Sequence, residues 1–160
     1  MSTVIKPGED ISSQVLRQLS ALFTKFFETH NIFSQSETEI HEYIHKLSAE
    51  FPLVLLQTDS EVLGAAFIIQ TGSNSEGTHT RSKFRHLAFT NEQIASQILT
   101  ACESYIATQS QTQKIELTIA QTEKHIDIYE QNGYKKEAEL TNHYRWGETC
   151  FIFGKSLTQN

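Results

Sequence analysis

The hydrophobic spacing of this chain changes period at Pro52 and keeps changing beyond it. Before the proline, apolar residues recur at three- and four-residue steps. Val15, Leu16, Leu19, Leu22, Phe23, Phe26 and Phe27 form one stripe, and Ile40, Tyr43, Ile44 and Leu47 form a second. That spacing places side chains on one helix face. Ser12 or Ser13 stands where the first helix needs a cap, and His30-Asn31 stands where it stops. Ser36 with Glu39 three residues on is a capping box that opens the second helix. Pro52 then disfavours helical backbone in the residue before it and ends the run.

After the proline the period is that of a strand. Residues 53–58 and 62–70 are apolar and rich in β-branched and aromatic side chains, with Asp59-Ser60 as the turn between them. The polar segment 71–80 predicts an exposed loop, and 84–89 reads as a further strand. Thr90 is placed to cap a third helix over 91–108, with Gln93 completing a capping box. The inner face of that helix would be Ile94, Ala95, Ile98, Cys102, Tyr105 and Ile106. A Gln/Ser/Thr linker leads to 114–120, where Ile115, Leu117 and Ile119 alternate as in a strand. Residues 122–132 predict a short helix closed by Gly133 as a left-handed cap. Strands over 136–146 and 149–157 finish the chain, joined by Gly147-Glu148 as a tight hairpin. No internal repeat and no linker divides this order, so residues 1–160 read as a single α/β domain with a mixed sheet flanked by helices.

Composition narrows the function classes. The chain has 13 Lys+Arg against 19 Asp+Glu, a net charge of −6, which supplies no basic face for nucleic acid. A hydrophobic fraction of 38% with ten Phe provides a core and argues against disorder. The longest apolar run, 63–69, is too short to span a bilayer, and residues 1–10 lack the apolar stretch of a signal peptide. Two cysteines, Cys102 and Cys150, make no disulfide framework and read as buried thiols of a reducing compartment. Together these features predict a cytoplasmic protein that engages neither nucleic acid nor membrane.

Three segments resemble the GNAT acetyltransferase superfamily. IDIYEQNGY (126–134) is similar to its LYEKxGF element, and HYRWGETCFIFGKSL (143–157) to its closing hairpin, in which a Gly-Asp/Glu turn precedes a strand ending in Lys-x-Leu. LVLLQTDSEVLGAAFII (53–69) resembles its strand pair, with Gly64 at the characteristic glycine. The two N-terminal helices sit in the family's order, so the resemblance covers nearly the whole chain. It implies a central splayed sheet and transfer of an acyl group from acetyl-coenzyme A to an amine-bearing small molecule or peptide, and it admits a homodimer. The pantetheine arm would pair with the backbone of Leu87, Ala88 and Phe89. The pyrophosphate would lie on the helix N-terminus at Asn91, Gln93, Ile94 and Ala95, where unbonded N–H groups favour an anion. The family's Gln/Arg-x-x-Gly-x-Gly/Ala loop is matched only in part. Thr90 stands for the Gln/Arg, Gln93 for the first Gly, Ala95 fits, and Glu92 adds a negative charge to the first turn.

Tyr129 matches the family tyrosine that protonates the departing thiolate; a phenol suits this because its ordinary pKa lies near that of a thiol. A general base for the acceptor ammonium could come from His86 or from His143, since imidazole titrates near neutrality. His143, Tyr144 and Trp146 could instead line an acceptor pocket. Two other readings compete. Without glycine in the phosphate loop, the chain could be a member of this fold that binds a small molecule or protein and has lost catalysis. His41-Glu42-Tyr43-Ile44-His45 is also a literal HExxH zinc-peptidase pattern. The core stripe through Ile40, Tyr43, Ile44 and Leu47 leaves both of its histidines on the helix's solvated flank, and the strands after Pro52 offer no third ligand. The reading therefore holds no metal site.

Overall fold

The computed structural model describes residues 1–158. Its elements are β1 (Ser2–Ile5), α1 (Ser13–Phe26), a 3₁₀ turn (Ile32–Ser34), α2 (Glu37–Glu50), β2 (Leu53–Gln57) and β3 (Val62–Ser73). There follow β4 (His79–Phe89), α3 (Glu92–Ala107), β5 (Thr112–Ala120), α4 (Asp127–Gln131), β6 (Lys135–Thr141) and β7 (Thr149–Thr158). The strands form one sheet in the order β1-β2-β3-β4-β5-β7-β6. The pair β4–β5 is parallel, while β1–β2, β2–β3, β5–β7 and β6–β7 are antiparallel. This is the mixed α/β sheet with flanking helices that the periodicity implies. Among the described residues no helix is long and apolar enough to cross a membrane.

The chain forms two compact units, one of Met1–Ile69 with Phe84–Cys102 and one of Gln70–Lys83 with the chain from Glu103 onward. In the first unit, the stripe of α1 buries Leu19 and Phe23, and α2 buries Ile44, on the inner faces of Leu53, Leu55 and Phe67. Each fully buried side chain of this size removes enough apolar surface from water to contribute about 2 kcal/mol. The Ser12 hydroxyl accepts from Val15 N–H at 3.2 Å to start α1. The Ser36–Glu39 capping box is formed in both directions. Helix α3 packs directly on β3 at Gly64, where an added Cβ would lie 3.0 Å from Ile94 Cγ2 and 3.3 Å from Ile98 Cβ.

Three expectations for this unit change. Strand β1 lies in a stretch read only as polar; Thr3, Val4 and Ile5 are good strand formers, and they cover the open edge of β2 in the register Ser2↔Leu56 to Ile5↔Leu53. The cap of α3 is Asn91 rather than Thr90. Thr90 donates its N–H to Leu63 O at 3.0 Å and so ends the strand, while Asn91 Oδ1 accepts from Ile94 N–H at 3.0 Å. Helix α1 stops at Phe26, before the His30-Asn31 signal, and a 3₁₀ turn follows.

In the second unit, β3 and β4 extend into the segment read as a loop, whose irregular part shrinks to 74–78. Asn74 holds the turn: its N–H donates to His79 O at 3.0 Å and its Oδ1 accepts from His79 N–H at 3.1 Å. Ladder pairing satisfies polar strands here without a large apolar face, which is why hydropathy missed them. The core centres on Ile115, Leu117 and Phe153. Lys155 Nζ donates to both carboxylate oxygens of Glu103 and, at 2.8 Å, to Asn132 O, tying the last turn of α3 to β7 and the exit of α4. Gly133 takes φ +86 in that exit, the left-handed backbone its position requires. The closing hairpin is not a tight turn: β6 ends at Thr141, and 142–148 form a loop in which Gly147 N–H donates to Asn142 Oδ1 at 2.7 Å. Helix α4 begins only at Asp127, because Ile126 at its start offers no side-chain cap.

Candidate functional site

Strand β4 carries a non-glycine residue in the left-handed region, His86, at φ +55. An L-residue there costs about 1–2 kcal/mol, so something must hold it. The holder is a ring cluster within the first unit. His86 Nε2 and the Tyr43 hydroxyl are 2.7 Å apart, joining β4 to α2. Around the imidazole stand Phe33 (5.0 Å between ring centres, edge-on), His30 (5.5 Å), Phe27 (5.6 Å) and Phe23 (6.0 Å). His30 is itself fixed, its Nδ1 accepting from Ile32 N–H at 3.3 Å.

The electrostatics follow from this packing. Burial foremost, with His30 and Arg85 beside it, lowers the His86 pKa to about 4, so the imidazole is neutral at pH 7. Burial pushes the Tyr43 phenol up, partly opposed by Arg85, so it stays protonated. A neutral imidazole and a phenol share one proton-bearing hydrogen bond well. As a base for an ammonium group, however, an imidazole of such low pKa is weak.

Beyond His86 the strand runs through Leu87, Ala88 and Phe89, all buried, and passes through Thr90 and Asn91 to the start of α3. The β4–β5 ladder covers only His79–Ser82 with Thr112–Ile115. Among the described residues, no strand ladder therefore takes the 87–89 edge that faces away from β3. At the helix start, the Ile94 amide is occupied by Asn91 Oδ1 and the Ala95 amide by Asn91 O at 2.9 Å. The side chains of Ile94 and Ala95 are buried, while Asn91, Glu92 and Gln93 are exposed. The first-turn amides of Glu92 and Gln93 precede the helix's own ladder, as the first amides of a helix do.

The other predicted residues lie in the second unit. Tyr129 sits in α4 with its ring 5.8 Å from Phe153, stacked, and 5.9 Å from Tyr134, edge-on. Burial, with Glu123 adding to it, pushes its phenol up and away from the thiol range expected from the sequence, so it stays protonated at neutral pH but is a weaker acid than an ordinary phenol. His143 belongs to the 142–148 loop rather than to β6, its ring 4.6 Å from Tyr144. Tyr144 and Trp146 of that loop are 65% and 90% exposed, so as they stand they wall no pocket. Cys102 and Cys150 are buried and in no disulfide. On α2, His41 faces Glu37 at 3.5 Å, and no group of three or more His, Cys, Asp or Glu suited to a metal gathers among the described residues.

Sequence reading missed Tyr43 and His30 as partners of His86. The spacing Phe23, Phe26, Phe27, His30, Phe33 was the available signal, an aromatic stripe running past the helix end into a histidine. Its meeting with a strand residue more than fifty positions away is tertiary and has no local mark.

No protein-family model matches the chain, and no curated protein matches it. Solved structures do. The aminoglycoside 6'-N-acetyltransferase from Enterococcus faecium aligns at TM-score 0.71 and 16% identity, over 100% of this chain and 98% of that one. An aminoglycoside 6'-N-acetyltransferase complexed with coenzyme A aligns at 0.67 and 16%, over 99% and 98%. Arabidopsis thaliana Naa50, in complex with a bisubstrate analogue, aligns at 0.63 and 16%, over 98% and 99%. Likeness at such identity, spanning both chains from end to end, is a likeness of fold: this chain has the GNAT N-acetyltransferase fold.

Proposed function

We propose that this chain is a cytoplasmic N-acetyltransferase that moves an acetyl group from acetyl-coenzyme A to a primary amine on a small molecule or peptide. The observation that carries the reading is the open 87–89 edge of β4, leading within two residues to the first-turn amides of α3. An extended amide-bearing arm followed by a phosphate fits a strand edge followed by a helix N-terminus. Solved proteins of this fold that were crystallised with coenzyme A or a coenzyme A adduct support the choice of ligand.

In this reading the backbone of Leu87, Ala88 and Phe89 aligns the pantetheine, and Asn91, Gln93, Ile94 and Ala95 build the helix start that meets the pyrophosphate. The deprotonated amine attacks the thioester carbon, a C–N bond forms and the C–S bond breaks; Tyr129 passes its proton to the leaving thiolate and recovers the one that the new amide nitrogen loses. Holding the two reactants together and donating a backbone N–H to the thioester oxygen supply most of the acceleration. His143 takes the ammonium proton. His86, too weak a base, stays neutral.

Acetyl-coenzyme A titrated against the purified protein tests this directly. The melting temperature is expected to rise with ligand, and Gln93→Glu, which adds an exposed negative charge to the first turn, is expected to weaken binding severalfold. Free-thiol release with a panel of amines, aminoglycosides and short peptides among them, then identifies the acceptor class. Absence of any rise at millimolar acetyl-coenzyme A would overturn the enzyme reading. That result would favour the second one, a non-catalytic binding module, which the exposed Glu92 and the Asn91-occupied amides support.

A further inference from the structure

We propose that Tyr43, through His86, is a positioning residue that sets the course of the β4 backbone over Leu87–Ala88–Phe89. The inference rests on the acetyltransferase reading for what that backbone binds, though not for the geometry. A strand made of L-residues avoids φ +55, and relaxing His86 to extended backbone would redirect every residue after it. Nothing in the neighbouring sequence demands the left-handed turn, since no glycine stands in β4. What holds it is side-chain anchorage. The 2.7 Å bond to the Tyr43 hydroxyl fixes the far end of the imidazole, and Phe23, Phe27, Phe33 and His30 leave the ring one orientation. Tyr43 in turn lies on α2, whose start is locked by its capping box. The anchor is thus rigid at both ends, and the strand bends to meet it. Position 43 carries this role on its hydroxyl alone, because its ring would pack as well without it.

The test uses Tyr43→Phe, His86→Gly and the double variant, with two readouts: acetyl-coenzyme A affinity by calorimetry, and the backbone amide shifts of residues 87–89 in the free protein. Tyr43→Phe keeps the ring and the fold. It is expected to move those amides and to weaken acetyl-coenzyme A binding roughly fivefold, the factor that relief of one left-handed residue's strain corresponds to. Glycine tolerates φ > 0 but has no side chain to be anchored, so His86→Gly is expected to move the same amides and weaken binding as Tyr43→Phe does, and the double variant to match the single ones. A tyrosine acting independently of His86 would instead give additive changes. Unchanged amides in Tyr43→Phe, or additive effects in the double variant, overturn the proposal. If wild-type protein fails to bind acetyl-coenzyme A, the function reading falls. The amide shifts and their non-additivity then decide the positioning role by themselves.

Discussion

The depressed pKa of His86 makes protein stability pH-dependent in a window that can be calculated. The unfolded chain carries this histidine at its ordinary value of 6.5, and the folded chain at about 4, chiefly because burial disfavours the imidazolium. Between those values the unfolded state binds a proton that the native state refuses. Unfolding is therefore linked to proton uptake, and stability falls as the pH falls from 6.5 toward 4, then levels below it. At about 1.4 kcal/mol per pH unit, the gap corresponds to roughly 3 kcal/mol, brought nearer 2 kcal/mol by the ring's partial exposure. Urea unfolding followed by circular dichroism at pH 7, 6, 5 and 4 measures it, with His86→Asn as the reference chain. Asparagine tolerates left-handed backbone and does not titrate, so it removes the proton with the least added backbone strain. Glu103, whose pKa burial raises, contributes with the opposite sign, but it does so equally in both chains and cancels in the difference. The wild type is expected to lose about 2–3 kcal/mol more than His86→Asn between pH 7 and pH 4. Parallel curves for the two chains would refute the claim that the aromatic cluster keeps this ring neutral.

Three further perturbations check the packing that supports the candidate site. Ser36→Ala removes the hydroxyl that accepts from Glu39 N–H at 3.3 Å and is expected to destabilise the fold by about 1 kcal/mol in urea titration. Gly64→Ala pushes a methyl against Ile94 and Ile98 and is expected to cost about 2 kcal/mol, with the midpoint lowered at constant m-value. Lys155→Met leaves the Glu103 carboxylate, only 11% exposed, without its cation, at an expected cost of about 2 kcal/mol. Carbon-detected titration of Glu103 in that variant should show its carboxyl pKa rising further.

What the sequence disclosed and what it hid divide along the range of the interactions. The α1 stripe, the Ser36–Glu39 box and the left-handed Gly133 are read from neighbours within one or two turns, or from a residue type that only one geometry needs. Helix caps could be confused only between adjacent candidates, as with Thr90 and Asn91, where a strand hydrogen bond to Leu63 O claims the first and leaves the second to cap. The outer halves of β3 and β4 were invisible because their pairing satisfies backbone groups of polar residues, a gain that hydropathy does not register. His86 was visible as a histidine on a strand, but its partners Tyr43 and His30 come from separate stripes, and its φ of +55 is a property of their meeting.

The start of α3, which would meet a phosphate in the proposed function, departs from the GNAT resemblance in its side chains. The GNAT resemblance implies a glycine there, which would allow close backbone approach; here Gln93 stands at that position with Glu92 before it, both exposed. An exposed side chain at a helix N-terminus can swing aside, so it does not block the amides beneath it as a buried one would. Its charge is another matter, because Glu92 opposes an anion within the reach of the helix dipole, an effect of about 0.3–1 kcal/mol. On the proposed function, the sequence departure is expected to weaken phosphate binding without abolishing it, and salt should expose the difference. If acetyl-coenzyme A binds as proposed, screening relieves the repulsion from Glu92, while the backbone hydrogen bonds to the pantetheine are little affected by salt. Affinity is therefore expected to fall less steeply with ionic strength in the wild type than in Glu92→Gln. Calorimetry at 50 and 500 mM salt decides it, and equal slopes would show that the charge of Glu92 does not reach the ligand.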